Sequence, residues 1–144
     1  RERDNAYCAG DETYFRWQRT YSEPELRAMI NKVVAVGRIE DIVLGERGVS
    51  GRLKSVRVRG SSATETIQKE LPIRRAFGNL PSAFFIVSKS AGAGGVPQFK
   101  FTGGGRGHGV GLCQHGARGM ALQGAKHYEI LRHYYLGTSI VKVQ

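Results

Sequence analysis

The sequence predicts an α+β domain, a small mixed or barrel-like β-sheet with an N-terminal helix and two C-terminal helices, and three observations predict it. A capped apolar stripe opens at Ser22, short β-branched runs broken by glycine fill the middle of the chain, and helical spacing returns after a glycine run near Gly111. Strands followed by helices without regular βαβ alternation favour α+β over a parallel sheet. The 144 residues, 40% of them hydrophobic, are enough to bury one ordinary core, so one domain spanning 1–144 is expected.

The N-terminal helix is predicted from Ser22. Ser22 and Glu25 have capping-box spacing, and Pro24 falls in the first turn, where a missing N–H costs nothing. Leu26, Met29, Ile30 and Val33 follow at i, i+3, i+4 and i+7, which reads as one buried stripe. Just upstream, Tyr14-Phe15-Arg16-Trp17 is an aromatic cluster with a cation inside it. It reads either as a strand packed on the core or as a platform for a sugar, which makes Arg16 and Trp17 candidate binding residues.

Strands are predicted at Val34 and Val36, at Ile39, Ile42 to Leu44, and at Val56 and Val58, where alternation with Arg57 and Arg59 gives one apolar and one solvated face. Further short strands are expected at Thr64 to Ile67, Ala83 to Val87 and Gln98 to Phe101, with the glycine-rich segment 90–95 as a loop. Leu112 to Gln123 reads as a helix in which Gly116 and Gly119 allow close backbone approach. A second helix is expected over Tyr128 to Tyr135, ending at Gly137, followed by a closing strand from Ser139 to Val143.

The net charge of +10 is uneven: residues 1–70 hold 13 Lys+Arg and 11 Asp+Glu, residues 71–144 hold 9 and 1. Such a surface attracts any polyanion, so charge alone names no partner. No nucleic-acid-binding motif is present, and no nucleic-acid partner is expected. No apolar run approaches the ~18 residues of a membrane span. The start at Arg1, with no initiator methionine, suggests a piece of a longer protein, and any membrane attachment is expected only through a segment upstream of it. Cys8 and Cys113 fit either one disulfide or two free thiols.

The chemistry concentrates in Gly103-Gly104-Gly105-Arg106-Gly107-His108-Gly109-Val110-Gly111, where six of nine residues are glycine. Such a segment takes positive φ repeatedly and brings bare backbone N–H groups to a ligand. It contains no G-x-G-x-x-G register and no closing Gly-Lys-Ser/Thr, which excludes the usual nucleotide loops. His108, Cys113, His115, His127 and His133 match no closed zinc site, so neither metal nor cofactor is expected. No nucleophile elbow frames Cys113. Glycoside chemistry needs a carboxyl group, and Glu129 is the only one after residue 70. If the chain acts on sugar, Arg106, His108 and Gln114 offer hydrogen bonds to its oxygens, whereas His108 reads equally as a side chain bonded to the backbone of its own loop; no catalytic residue is assigned.

Gly105-Arg106-Gly107-His108-Gly109-Val110-Gly111, then Gln114, Gly116-Ala117, Met120-Ala121 and Ile130-Leu131 with Tyr134-Tyr135 and Gly137-Thr138, resemble the C-terminal signature of the SpoIID/LytB family. Phe15-Arg16-Trp17 resembles the family's aromatic-Arg-Trp element, and residues 51–77 resemble its strand, turn, strand and short arginine-bearing helix. The resemblance implies extracytoplasmic work on peptidoglycan, either as a lytic transglycosylase on glycan strands lacking stem peptides or as a LytB-type amidase enhancer acting with other wall hydrolases. It implies glycan contacts for Arg16, Trp17, Arg106, His108, Gly109 and Gln114. It also implies that the catalytic Glu belongs to an N-terminal segment preceding these residues, so that this chain alone is inactive. Leu112-Cys113 departs from the Met-Ser that many members carry there.

Overall fold

A computed structural model describes residues 6–10 and 13–141. The chain divides into two compact units, Arg16–His108, and Arg1–Phe15 together with Gly109–Gln144. Among the described residues there are four α-helices and two three-stranded antiparallel sheets. The α+β class holds. The barrel-like alternative does not, because the strands pair in two separate sheets with free edges.

Both sheets belong to the Arg16–His108 unit. The first has the order β1-β6-β5, built from β1 (Trp17–Ser22), β5 (Phe85–Ala91) and β6 (Pro97–Gly103). The second has the order β2-β3-β4, from β2 (Ile39–Leu44), β3 (Ser55–Gly60) and β4 (Thr64–Gln68). The predicted alternation is visible in β3, where Val56 and Val58 are buried and Arg57 and Arg59 exposed.

Helix α1 (Glu23–Ile30) starts where its cap predicts. The Ser22 N–H and hydroxyl donate to Glu25 Oε2 at 2.8 and 2.6 Å, and these bonds hold the Glu25 carboxyl below the usual carboxylate range. Leu26 and Ile30 are fully buried, but the helix ends at Ile30 and Val33 is exposed. Asn31 explains both this and the missing strand at Val34 to Val36. Its Oδ1 accepts from Val36 and Gly37 N–H and its Nδ2 donates to Gly37 O, so the segment folds as a turn around that side chain. Buried Glu23 joins α1 to the second sheet by accepting from Ile39 N–H at 2.8 Å.

Helix α2 (Glu70–Ala76) carries Arg74 and Arg75, as the family resemblance implied. The core beneath is aromatic: Phe77, Phe85 and Phe101 lie with ring centroids 5.1–6.1 Å apart, and Tyr21 lies edge-on to Phe101 at 5.8 Å. A 3-10 turn (Ala93–Gly95) joins β5 to β6.

The other unit contains α3 (Gln114–Leu122) and α4 (His127–Tyr134). An added Cβ at Gly116 would strike the Tyr134 hydroxyl and one at Gly119 the Tyr7 carbonyl, which is the close approach expected of those glycines. Cys113 caps α3 through its sulfur, which accepts from Gly116 N–H at 3.4 Å. Tyr7 meets His133 edge-on at 5.6 Å. Burial, then the neighbouring Cys113, Cys8 and Tyr7, raises the Tyr134 phenol above its ordinary value. Among the described residues, Cys8 and Cys113 form no disulfide. Residues 139–141 form no strand, and the rest of the predicted closing strand, like the Arg1–Asp4 start, lies outside the described residues. No helix among the described residues is long and apolar enough to cross a membrane.

Candidate functional site

The first half of the glycine run leaves the end of β6, the central strand of its sheet, and is fixed by its own backbone. Gly104 N–H donates to Phe84 O at 3.0 Å and Gly107 N–H to Pro81 O at 2.9 Å. Three side chains hold its carbonyls: Ser82 Oγ to Gly104 O at 2.7 Å, Trp17 Nε1 to Gly105 O at 3.1 Å, and Arg52 Nε to Gly107 O at 2.9 Å. Gly105 and Gly107 have φ of 73° and 78°, which glycine adopts without steric cost. The result is a loop tied down at five points, whose ordering cost falls on folding.

Ser82 is fully buried, and its hydroxyl also accepts from Phe84 N–H at 3.2 Å. Ser82→Ala leaves a buried carbonyl and a partly buried N–H short of a partner. It is expected to destabilise the chain by about 1–3 kcal/mol in urea unfolding.

A tongue from Arg47 to Leu53, closed by an antiparallel bridge between those two residues, rises beside the loop. Arg47 fastens it, donating to Gly51 O and Phe85 O at 2.7 Å each, with its guanidinium 5.9 Å from the centre of the Phe84 ring. Gly51 has φ 74°, and a Cβ there would lie 2.7 Å from Phe84 Cε2, so the tongue rests directly on that ring.

A cavity of about 410 Å³ lies against this assembly, lined by Arg16, Arg47, Phe84, Phe85, Ile86, Thr102, Gly103 and Gly104. Phe84 and Ile86 are exposed, so its floor is an aromatic ring and an aliphatic side chain while guanidinium and hydroxyl groups stand at its edge. That combination suits a ligand with an apolar face and a polar rim. A second cavity of about 360 Å³ is lined by Gly48, Ser50, Arg52, Leu53, Lys54, Gln68, Lys69, Glu70 and His108. Three of its nine lining residues, Arg52, Lys54 and Lys69, are cationic and one, Glu70, is acidic.

Of the residues expected to bind, the structure brings Arg16 to the first cavity and His108 to the second. Arg106 is exposed on the loop between Gly105 and Gly107. Trp17 is 5% exposed and packs in the core, the first of the two alternatives read for its cluster, and its indole N–H holds the Gly105 carbonyl. Gly109 and Gln114 belong to the other unit, and the site described is built from Arg16–His108 alone.

Sequence reasoning missed Phe84, Arg47, Arg52, Lys69 and Glu70. For Phe84 a signal existed: period-two alternation along Ala83 to Val87 puts Phe84 and Ile86 on the face opposite Phe85 and Val87. Glu70 lines the same cavity as His108, which no spacing revealed, and it pairs with Arg74 Nη1 at 3.3 Å. Among the described residues no three His, Cys, Asp or Glu side chains are grouped to hold a metal.

Residues 2–111 match the model of a family described as a domain of unknown function, DUF8618. The chain is 29% identical over 126 residues to Stage II sporulation protein D of Bacillus amyloliquefaciens, an alignment covering 85% of this chain and 32% of that protein. It is 58% identical over 40 residues to an uncharacterised protein of Brachyspira hyodysenteriae, covering 28% of this chain and 11% of that one. The chain thus spans a third or less of the length of these curated relatives.

Proposed function

We propose that this chain, which belongs to the DUF8618 family, is the substrate-organising part of a SpoIID-like protein that processes the glycan strands of bacterial peptidoglycan. One observation carries the reading: an exposed aromatic ring, two arginines and a backbone-anchored loop meet at a single cavity. The C–H face of a sugar ring stacks on a phenyl ring, while its hydroxyl and acetamido oxygens accept from guanidinium and backbone N–H groups. The similarity to Stage II sporulation protein D supports a cell-wall-related role; peptidoglycan as the polymer and lytic transglycosylation as the reaction of the whole protein are what the SpoIID/LytB resemblance implies. An extracytoplasmic location follows from the reading, because that polymer lies there. Arg16, Arg106 and His108 are the polar contacts of the Arg16–His108 unit; Gly109 and Gln114 belong to the other unit, and their glycan contacts rest on the family resemblance alone.

The chain's own work is binding and orientation. Holding a strand against a fixed loop converts a collision with a catalytic carboxylate supplied elsewhere in the protein into a unimolecular step.

The test is a binding titration with purified glycan strands stripped of stem peptides. His108→Ala and Phe84→Ala are expected to weaken binding by roughly tenfold each, the size of one lost hydrogen bond to a charged group or one ring contact. Arg57→Ala, on the solvated face of β3, is expected to leave it within twofold. Equal losses across the three variants would reduce the binding to bulk charge and end the proposal.

A further inference from the structure

We infer that Arg52 is the positioning residue for His108: it fixes the peptide from which that side chain departs, and on the glycan reading above it thereby sets the affinity of the site without touching the sugar. His108 stands between Gly107, with φ of 78°, and Gly109, with φ of 73°. Each peptide unit is rigid, so a residue flanked by two glycines inherits the freedom of their φ and ψ. Whatever fixes the peptide before His108 therefore decides where its imidazole can stand.

Arg52 fixes that peptide. Its Nε donates to Gly107 O at 2.9 Å, and the Gly107 carbonyl lies in one plane with the His108 N–H. The Gly107 N–H donates to Pro81 O at 2.9 Å, so the peptide units on both sides of Gly107 are held. Of the five ties on the loop, the one from Arg52 is nearest to His108 along the chain. Arg52 Nη2 lies 3.4 Å from where a Cβ of Gly105 would stand, which lays the guanidinium along the loop from Gly105 to Gly107. A charged donor makes this bond stronger than a neutral one would be.

Arg52 is itself held. Its carbonyl accepts from Gly48 N–H at 2.8 Å, the next N–H along, that of Leu53, donates to Ala83 O at 3.0 Å, and Arg47 fastens the same tongue to Phe85 O. The restraint thus runs from β5 through the tongue and the guanidinium into the loop. Arg52 and His108 line one cavity, so a cation there reads at first as a ligand contact; the geometry gives its Nε to the backbone instead.

Two variants separate position from charge. The amide nitrogen of glutamine stands as many bonds from the backbone as Arg52 Nε, so Arg52→Gln keeps a donor there without the charge, whereas Arg52→Met keeps the length and has no donor. In a titration with purified glycan strands stripped of stem peptides, Arg52→Met is expected to bind about tenfold more weakly than the native chain, the loss expected of His108→Ala, and Arg52→Gln to stay within about threefold. Arg52→Met combined with His108→Ala is expected to bind no more weakly than His108→Ala alone, since both changes remove one contact. If Arg52→Met does not fold, Arg52→Lys, with a carbon at the Nε position, takes its place under the same expectations. A fall in Arg52→Gln equal to that in Arg52→Met, or losses that multiply to about a hundredfold in the double variant, would overturn the positioning role and leave the glycan reading intact. If the native chain binds no glycan, that reading fails, and the positioning role is then decided without a ligand by the heteronuclear NOE of the His108 amide. A rigid His108 in the native chain and Arg52→Gln with a mobile one in Arg52→Met supports it, and equal values in all three overturn it.

Discussion

Phe101→Ala is expected to destabilise the Arg16–His108 unit by about 3–5 kcal/mol, the largest effect of any single change considered for this chain. Phe101 is fully buried on β6, the strand at the centre of its sheet, where it pairs with Arg19 on β1 and Val87 on β5. Its ring touches three others, with centroids at 5.1 Å to Phe77, 5.4 Å to Phe85 and 5.8 Å to Tyr21. Truncation removes the transfer free energy of the ring and leaves a void that strand backbones cannot close. Phe101→Leu keeps most of the volume and is expected to cost less than half as much. Chemical denaturation of both variants checks the ordering; a loss below about 1 kcal/mol for the alanine variant would mean that the aromatic cluster is looser than described.

Gly103→Ala is expected to cost about 2–4 kcal/mol and to abolish glycan binding. Gly103 pairs with Trp17 on one side and Phe85 on the other, and an added Cβ would enter the Trp17 ring. That ring is buried and cannot step aside without releasing the Gly105 carbonyl that its Nε1 holds. Overpacking accounts for about 1–3 kcal/mol of the expected loss and the broken hydrogen bond for about 1 more. Gly107→Ala is the contrasting case. Nothing lies within 4 Å of its added Cβ, so the cost is confined to a left-handed φ, about 1–2 kcal/mol. Urea midpoints and a glycan titration on the two variants separate a loop displaced through Trp17 from a loop merely strained.

Much of the fold was legible because its signals are local. Ser22, Pro24 and Glu25 mark the start of α1 without reference to anything distant, and alternation of Val56 and Val58 with Arg57 and Arg59 marks β3. What failed depended on one side chain or on tertiary pairing. Asn31 turns a β-branched run into a loop through three hydrogen bonds, a competition that propensity does not register. Whether six strands close into a barrel or form two sheets is decided by pairings between distant segments, such as Trp17 with Gly103, and composition is silent on them.

The site divides in the same way. The glycine run announces itself by composition, and Arg16 and His108 do line cavities beside it. Trp17 was noticed for its ring, whereas the structure uses its indole N–H. The tongue carrying Arg47 and Arg52 reaches the loop only through folding. Glu70 lies 38 positions from His108, a separation at which no spacing rule links them, yet both line one cavity.

The central claim is that the loop after β6 and the ring beside it form a glycan-binding surface. The most direct measurement is isothermal titration of the chain with stem-peptide-free glycan strands, in parallel for the native sequence, Phe84→Ala and Arg57→Ala. The account predicts saturable binding by the native chain, a loss of roughly tenfold on removal of the ring and no more than a twofold change at Arg57. Binding that is insensitive to Phe84 and falls steeply with added salt in all three would contradict it.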